Sequence, residues 1–343
     1  MATPMTRGSL LRWLAALGFA IAAVAGCVKL KEFAAPQPPA VGAEWRELLD
    51  ELRVFEQRIG FRPTNNFARL TTERKSFPYC GQASNRQLPY SYQDDVIRWL
   101  DDITETACRE VPAEIDVYYG EAEAWGEIGT PVTASMVAGT IDRFVYLVIH
   151  EDCHDQFELP NGIEEPLCDI LTHRAMAGFS SEKFRWYARE HRAIKHYTRT
   201  ESRHARATIS YYAELEKLYQ RFERSEISHD ALLSLRAPIF ARAERSLELP
   251  AGHLNSILLA TYMTYSRHLP QLERSIDRLD AELPHVLEFF RLVDRRKPAE
   301  EAVMQRLGVA ERKNAKFLRA YEAAVMETIR QMLDERTVLP SSG

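Results

Sequence analysis

Residues 136–154 read MVAGTIDRFVYLVIHEDCH, and the arrangement of everything else follows from this stretch. Met136, Val137, Ile141, Phe144, Val145, Leu147, Val148 and Ile149 leave little polar surface, so the spacing predicts a helix over 134–157 that is apolar around most of its girth. Such a helix belongs at the centre of a domain. Its end carries His150-Glu151-Asp152-Cys153-His154, an H-E-x-x-H pattern. Positions four apart on a helix are separated by about 40° around its axis, so both imidazoles can reach one divalent metal ion. Glu151 stands beside them, where a carboxylate can take the proton of an attacking water. The pattern implies metal-assisted hydrolysis, with His150 and His154 as ligands and Glu151 as general base.

Two histidines leave a tetrahedral zinc one protein ligand short. A third histidine six residues beyond the motif, preceded by a glycine at the third position, is excluded because those positions hold Pro160 and Phe157. The alternative source is a glutamate on the next helix, expected to start near Glu164 or Pro166 and to run to about Met176. Glu165 is the expected third ligand. Pro166 disfavours helical geometry in the residue before it, which puts Glu165 at the helix start and keeps Glu164 as the reserve ligand.

Outward from this pair of helices, Trp45, Leu48, Leu49, Leu52 and Phe55 predict a helix over 43–60, with Gly60 as its stop. Residues 61–90, with Pro63, Pro78, Gly81 and Pro89, read as loop with short strands at most. Val96, Trp99, Leu100 and Ile103 predict a helix over about 92–108. The alternating segment 114–119, Glu-Ile-Asp-Val-Tyr-Tyr, is the best strand. From Ser181 onward the chain is expected to be helical over roughly 181–224, 229–247, 253–269, 272–293 and 299–336. The expected fold is therefore mainly α with a small mixed α+β catalytic part at 43–180, followed by a long α-helical region at 181–343 packed on it. His191, His196 and His204 have spacings that do not bring them to one face, and they read as a solvated helix surface.

The chain of 343 residues is 45% apolar and 27% charged, a globular balance, and its net charge of −5 gives no general attraction to phosphate backbones, so nucleic acid is excluded as a main partner. At the N-terminus, Arg7 and Arg12 flank or open an apolar run from Leu10 to Gly26 that has no acidic residue, the pattern of a secretory signal over 1–26. The remaining cysteines, Cys80, Cys108, Cys153 and Cys168, are even in number and suit an oxidising compartment, with three full pairings open to them. Cys153 with Cys168 and Cys80 with Cys108 close the shortest loops, and four buried free thiols are the alternative.

Val24-Ala25-Gly26-Cys27 resembles the lipobox of bacterial lipoproteins, which implies cleavage before Cys27 and lipid on it. Val28 then implies delivery to the outer membrane, facing the periplasm. Residues 27–42, with Ala34-Ala35-Pro36-Gln37-Pro38-Pro39, read as an extended tether. Glu165 and Asp169 form an E-x-x-x-D pattern that resembles the second motif of glutamate-type, zincin-like peptidases, implying that Asp169 supports a ligand histidine. Together with Trp125-Gly126 and the Asn255–Leu269 stretch containing Ala260-Thr261-Tyr262, these features are similar to the predicted zinc aminopeptidases of bacterial lipoprotein type. Asp152 and Cys153 depart from the Leu-Ala usual between the histidines, and no G-x-M-x-N stretch is present.

The resemblance implies a lipid-anchored zinc metallopeptidase acting on peptides, with Zn2+ held by His150, His154 and Glu165. An oxyanion donor is also required, and Tyr262 is the first expectation and Tyr265 the second. Two rival readings remain at this stage. One is a non-catalytic envelope lipoprotein with a structural metal site and a helical scaffold. The other is a zinc amidase acting on cell-wall peptides.

Overall fold

The computed structural model describes residues 42–71, 77–101, 103–124 and 129–338. The leader 1–26, Cys27, the tether up to residue 41 and Trp125-Gly126 lie outside the described residues. The predicted central helix forms in two pieces, Ala134–Ala138 and Ile141–His154. Gly139 is extended (φ −78°, ψ −167°) and Thr140 caps the second piece, also in an extended conformation, so the helical ladder cannot run through them. The second piece carries the motif and buries Phe144, Val145, Leu147, Val148 and Ile149.

In chain order, α1 is Ala43–Arg58, β1 Leu70–Thr71, β2 Phe77–Ser84, β3 Arg98–Asp101, α2 Glu105–Arg109, β4 Ile115–Ala122, β5 Val132–Thr133, α3 Ala134–Ala138 and α4 Ile141–His154. There follow α5 Asn161–Lys183, α6 Arg189–Glu223, α7 His229–Ser246, α8 Ser256–Ser266, α9 Leu269–Leu279, α10 Leu283–Arg296, α11 Glu300–Leu307 and α12 Ala315–Val338. The fold is mainly α with a three-stranded antiparallel sheet, ordered β3-β2-β4, and a short parallel pair, β1-β5.

The sheet corrects two expectations. Residues 92–108 are not one helix, because Arg98–Asp101 pairs with β2 and only Glu105–Arg109 is helical. Trp99 stands opposite Gly81, whose missing side chain makes room for the indole ring, and Trp99 Nε1 donates to the Tyr92 carbonyl at 2.7 Å. Val96, Trp99 and Leu100 fit a helix by spacing, but this long-range pairing overrides local preference. Within 61–90, Phe77–Ser84 is the central strand of the sheet rather than loop. Pro78 is tolerated there because β3 pairs only from Tyr79 onward, so Pro78 has one strand neighbour, opposite Glu121. The strand expected at 114–119 forms as β4.

α5 begins at Asn161, earlier than expected, and Pro166 lies inside it. A proline there forfeits a ladder bond and costs up to about 3 kcal/mol in an exposed helix interior. The opposing gain is burial of Ile163, Leu167, Leu171, Ala175 and Met176, all inaccessible to solvent, at about 1.5–3 kcal/mol for each large side chain. Packing therefore wins over the local rule, and Glu165 sits on the helix rather than before it.

The C-terminal helices break at more points than expected. Residues 184–188 separate α5 from α6, Asp280 is left-handed (φ 44°) between α9 and α10, and Gly308 (φ 64°) ends α11. One apolar cluster joins Leu52 of α1, Phe144 of α4, Leu171 of α5, Phe290 of α10 and Ile329 of α12. A second joins Tyr212 and Leu215 of α6, Leu232 of α7 and Leu259 of α8. The first cluster runs across residue 180, which itself lies within α5, and residues from 42 onward form one compact unit. Among the described residues, no helix is long and apolar enough to cross a membrane.

At the start of α5, a Cβ on Gly162 would collide with the carboxyl of Glu322. That carboxylate is held in place by Tyr90 Oη at 2.6 Å and His268 Nε2 at 2.9 Å. Gly162→Ala is expected to cost about 1–3 kcal/mol through overpacking, read as a lower urea midpoint at unchanged slope. An unchanged midpoint would show that the Glu322 network yields freely.

Candidate metal centre

α4 and α5 lie against each other and are joined by a disulfide from Cys153 to Cys168, with Cα atoms 5.6 Å apart. The bridge leaves α4 one residue before His154 and enters α5 three residues after Glu165, so it ties the helices at the motif itself. Cys80 and Cys108 form a second disulfide between β2 and α2. These are the pairings with the shortest loops.

His150 Nε2 lies 3.2 Å from Glu165 Oε2 and 3.2 Å from His154 Nε2, and His154 Nε2 lies 3.3 Å from Glu165 Oε2. The three atoms thus form a nearly equilateral triangle. With zinc–nitrogen and zinc–oxygen bonds of about 2.0–2.1 Å, one face of a coordination tetrahedron has edges of roughly 3.3–3.4 Å. His154 Nδ1 lies 2.8 Å from Glu164 Oε1, and His150 Nδ1 lies 3.3 Å from Asp169 Oδ1. His154 Nδ1 is hydrogen-bonded to Glu164, whereas His150 Nδ1 is near Asp169 without hydrogen-bond geometry; both Nε2 atoms border the triangle, so the residues fit a divalent cation. Among the described residues, this is the group of His and acidic side chains arranged to hold a metal.

The other expected residues divide by position. Glu164, the reserve ligand, does not join the triangle; it supports His154 and accepts from the Leu159 backbone N–H at 2.6 Å. Asp169 Oδ1 lies 3.3 Å from His150 Nδ1 and accepts from Tyr146 Oη at 2.6 Å. Glu151 is half-buried on the next position of α4. Tyr265 on α8 is half-buried, with its ring stacked 6.3 Å from that of His150. Its hydroxyl is held protonated well above the usual tyrosine range, first by burial and then by the carboxylate of Glu165, Tyr92, Glu151 and Asp169. Tyr262, one turn earlier, is instead neighboured by Tyr118 and Glu201, and burial pushes it up to about 12. The geometry therefore brings Tyr265 to the ligands and leaves Tyr262 facing the sheet.

Sequence reasoning missed Tyr92 and Tyr146. Tyr92 Oη donates to Glu165 Oε1 at 3.3 Å and in turn accepts from Asn161 Nδ2. Nothing local marks Tyr92, which reaches the site only through the sheet. Tyr146 stacks on His150 at 5.0 Å and 22°. It precedes His150 by four residues, so helical spacing could have found it. His191 and His204 are half-buried on α6 and His196 is exposed, so that run is not wholly a solvated face; His191 Nδ1 lies 3.0 Å from Ser180 Oγ.

The carboxylates around the triangle set the titration of its members. Burial lowers the pKa of His150, but the adjacent carboxylates of Asp169 and Glu165 outweigh it and raise the group to about 9. His154 is likewise raised well above its ordinary value, against burial, by Glu165 and Glu164. Glu165 is held far below the usual carboxylate range, against burial, by the two histidines. In metal-free protein the surrounding carboxylates therefore favour proton uptake by this pair of imidazoles, which a cation in the triangle would oppose. Zinc binding near neutral pH is expected to release protons, and affinity is expected to rise with pH as the imidazoles lose theirs. Calorimetry in buffers of different ionisation enthalpy would measure this. Release of no protons would contradict ligation by these two side chains.

No family model matches the chain, no curated protein matches it and no solved structure matches it.

Proposed function

We propose that this protein is a zinc-dependent metallopeptidase of zincin-like type, anchored by lipid on Cys27 at the outer membrane and acting on peptides in the periplasm. The observation that carries the reading is the triangle of His150, His154 and Glu165 donor atoms with 3.2–3.3 Å edges, next to Glu151 on the same helix. Three protein ligands are the number of a catalytic zinc centre, whereas closed structural centres use four. A scaffold site also has no need of a carboxylate on the same helix and a tyrosine ring stacked near a ligand histidine, which favours the enzyme over the structural lipoprotein. Paired cysteines suit the extracytoplasmic location. Aminopeptidase specificity rests on the resemblance alone, and a cell-wall peptide amidase would use the same residues.

When bound, zinc supplies Lewis acidity, polarising a carbonyl and bringing the ionisation of water close to neutral pH. Glu151 takes the proton of the attacking water and delivers it to the leaving amine. Tyr265, kept protonated by its surroundings, donates to the oxygen that gains charge from the carbonyl. Asp169 and Glu164 hold the imidazoles with their Nε2 atoms inward, and Tyr92 steadies Glu165.

The test is metal analysis of the purified full chain together with hydrolysis of a peptide library before and after chelation. About one zinc per chain and activity that is lost with chelator and restored by zinc are expected. Cleavage unaffected by removing the metal, or a protein that binds no zinc, would overturn the reading.

A further inference from the structure

The connection from α5 to α6 presents two large aromatic side chains to solvent: Trp186 is 80% exposed and Tyr187 50%. Their rings pack edge to face at 5.6 Å, and Arg185 Nη1 donates to Tyr187 Oη at 2.7 Å. Phe184, half-buried against Phe179, fastens this unit to the end of α5. Val54 on α1 is also exposed, at 67%. It lies between Glu51, which pairs with Lys183, and Arg58, which pairs with Glu182. Exposed aromatics grouped in this way mark a surface that meets a partner.

The charge around them is opposite in sign to that of the molecule. Residues 185–196 contain the exposed Arg185, Arg189, Arg192 and Lys195 against Glu190 alone, in a chain whose net charge is −5. Arg189 and Arg192 also occupy the first turns of α6, where the helix dipole disfavours cations. Their sign therefore serves something outside the helix. Tryptophan and tyrosine with an apolar body and a polar tip, ringed by arginine and lysine, match the headgroup depth of a bilayer. Residues 27–42 span at most about 50 Å, so a body anchored through Cys27 stays within reach of such a surface.

We propose that Trp186 and Tyr187 insert at the headgroup level of an anionic phospholipid bilayer, with Arg185, Arg189, Arg192 and Lys195 over the lipid phosphates. The membrane-attachment part of the proposed function supplies only the delivery to that surface; the zinc chemistry is not involved.

The full chain would be added to vesicles of phosphatidylethanolamine and phosphatidylglycerol containing phospholipid brominated on its acyl chains. The difference in fluorescence quenching between parent and Trp186→Phe isolates Trp186. Quenching of that component should fall about threefold or more in purely zwitterionic vesicles, in high salt, and in Arg185→Glu/Arg189→Glu. An unchanged urea-unfolding midpoint serves as the folding control for each variant. Flotation with vesicles while Trp186 stays open to aqueous iodide would overturn this inference and leave the lipid anchor standing. Flotation of Cys27→Ala that is lost only on adding Arg185→Glu/Arg189→Glu would support the inference and refute the anchor. Absence of flotation would refute both, and burial of Trp186 by self-association without lipid would assign the surface to a second copy of the chain.

Discussion

Glu151→Gln should lower peptide hydrolysis by about 10²–10⁴-fold while leaving zinc bound, because it removes a proton acceptor and little else. Glutamine keeps the shape of glutamate and its hydrogen-bonding reach, but it cannot take up a proton at neutral pH. Glu151 is not a member of the ligand triangle, whose atoms belong to His150, His154 and Glu165, so metal content should stay at the parental level. That separation of binding from turnover distinguishes a base from a ligand. His154→Ala, by contrast, should lose both together. Single-turnover kinetics with zinc-loaded protein, beside metal analysis of the same sample, would read the two quantities. Activity within about tenfold of the parent would remove Glu151 from the role of base.

The second large effect concerns the bridge between α4 and α5. Replacing Cys153 and Cys168 together by alanine is expected to cost about 3 kcal/mol of stability, from the loop entropy that a cross-link of this length removes from the unfolded chain. The consequence should extend to the metal. The bridge ties the helices beside His154 and Glu165, so its loss frees the two sides of the triangle to move apart. Preorganised ligands bind more tightly than ligands that must first be gathered, so zinc affinity should fall in the same variant. Urea unfolding and competition against a zinc chelator would measure the two effects. Loss of stability with unchanged affinity would show that packing of Ile163, Leu167 and Val148 alone holds the ligands in register. Replacing Cys80 and Cys108 provides the contrast, since that bridge joins β2 to α2, and it should affect stability without changing zinc affinity.

Much of the candidate site can be read from local pattern. The apolar girth of 141–149 marks α4 as buried, and the four-residue interval between His150 and His154 puts both rings on one side. The pairing of Cys153 with Cys168 follows the shortest loop. Other features escape because their causes are distant in sequence. Val96, Trp99 and Leu100 satisfy helical spacing, but Arg98–Asp101 forms a strand, which depends on Gly81 leaving space for Trp99. Pro166 argues for a later start to α5, and the burial of its neighbours overrides that argument. Tyr262 and Tyr265 are both tyrosines on α8. Which of them stands over His150 depends on how that helix is rotated against α5 and α6.

From the amino-acid order alone came the H-E-x-x-H helix, the glutamates that follow it and an α-rich remainder, because helical period and ligand spacing are properties of one short segment. Only the tertiary structure brought Glu165 to the two imidazoles, set Glu164 and Asp169 behind them, and added Tyr92 and Tyr265. Those side chains come from separate elements, and their meeting is decided by how the cores pack, which no single segment encodes.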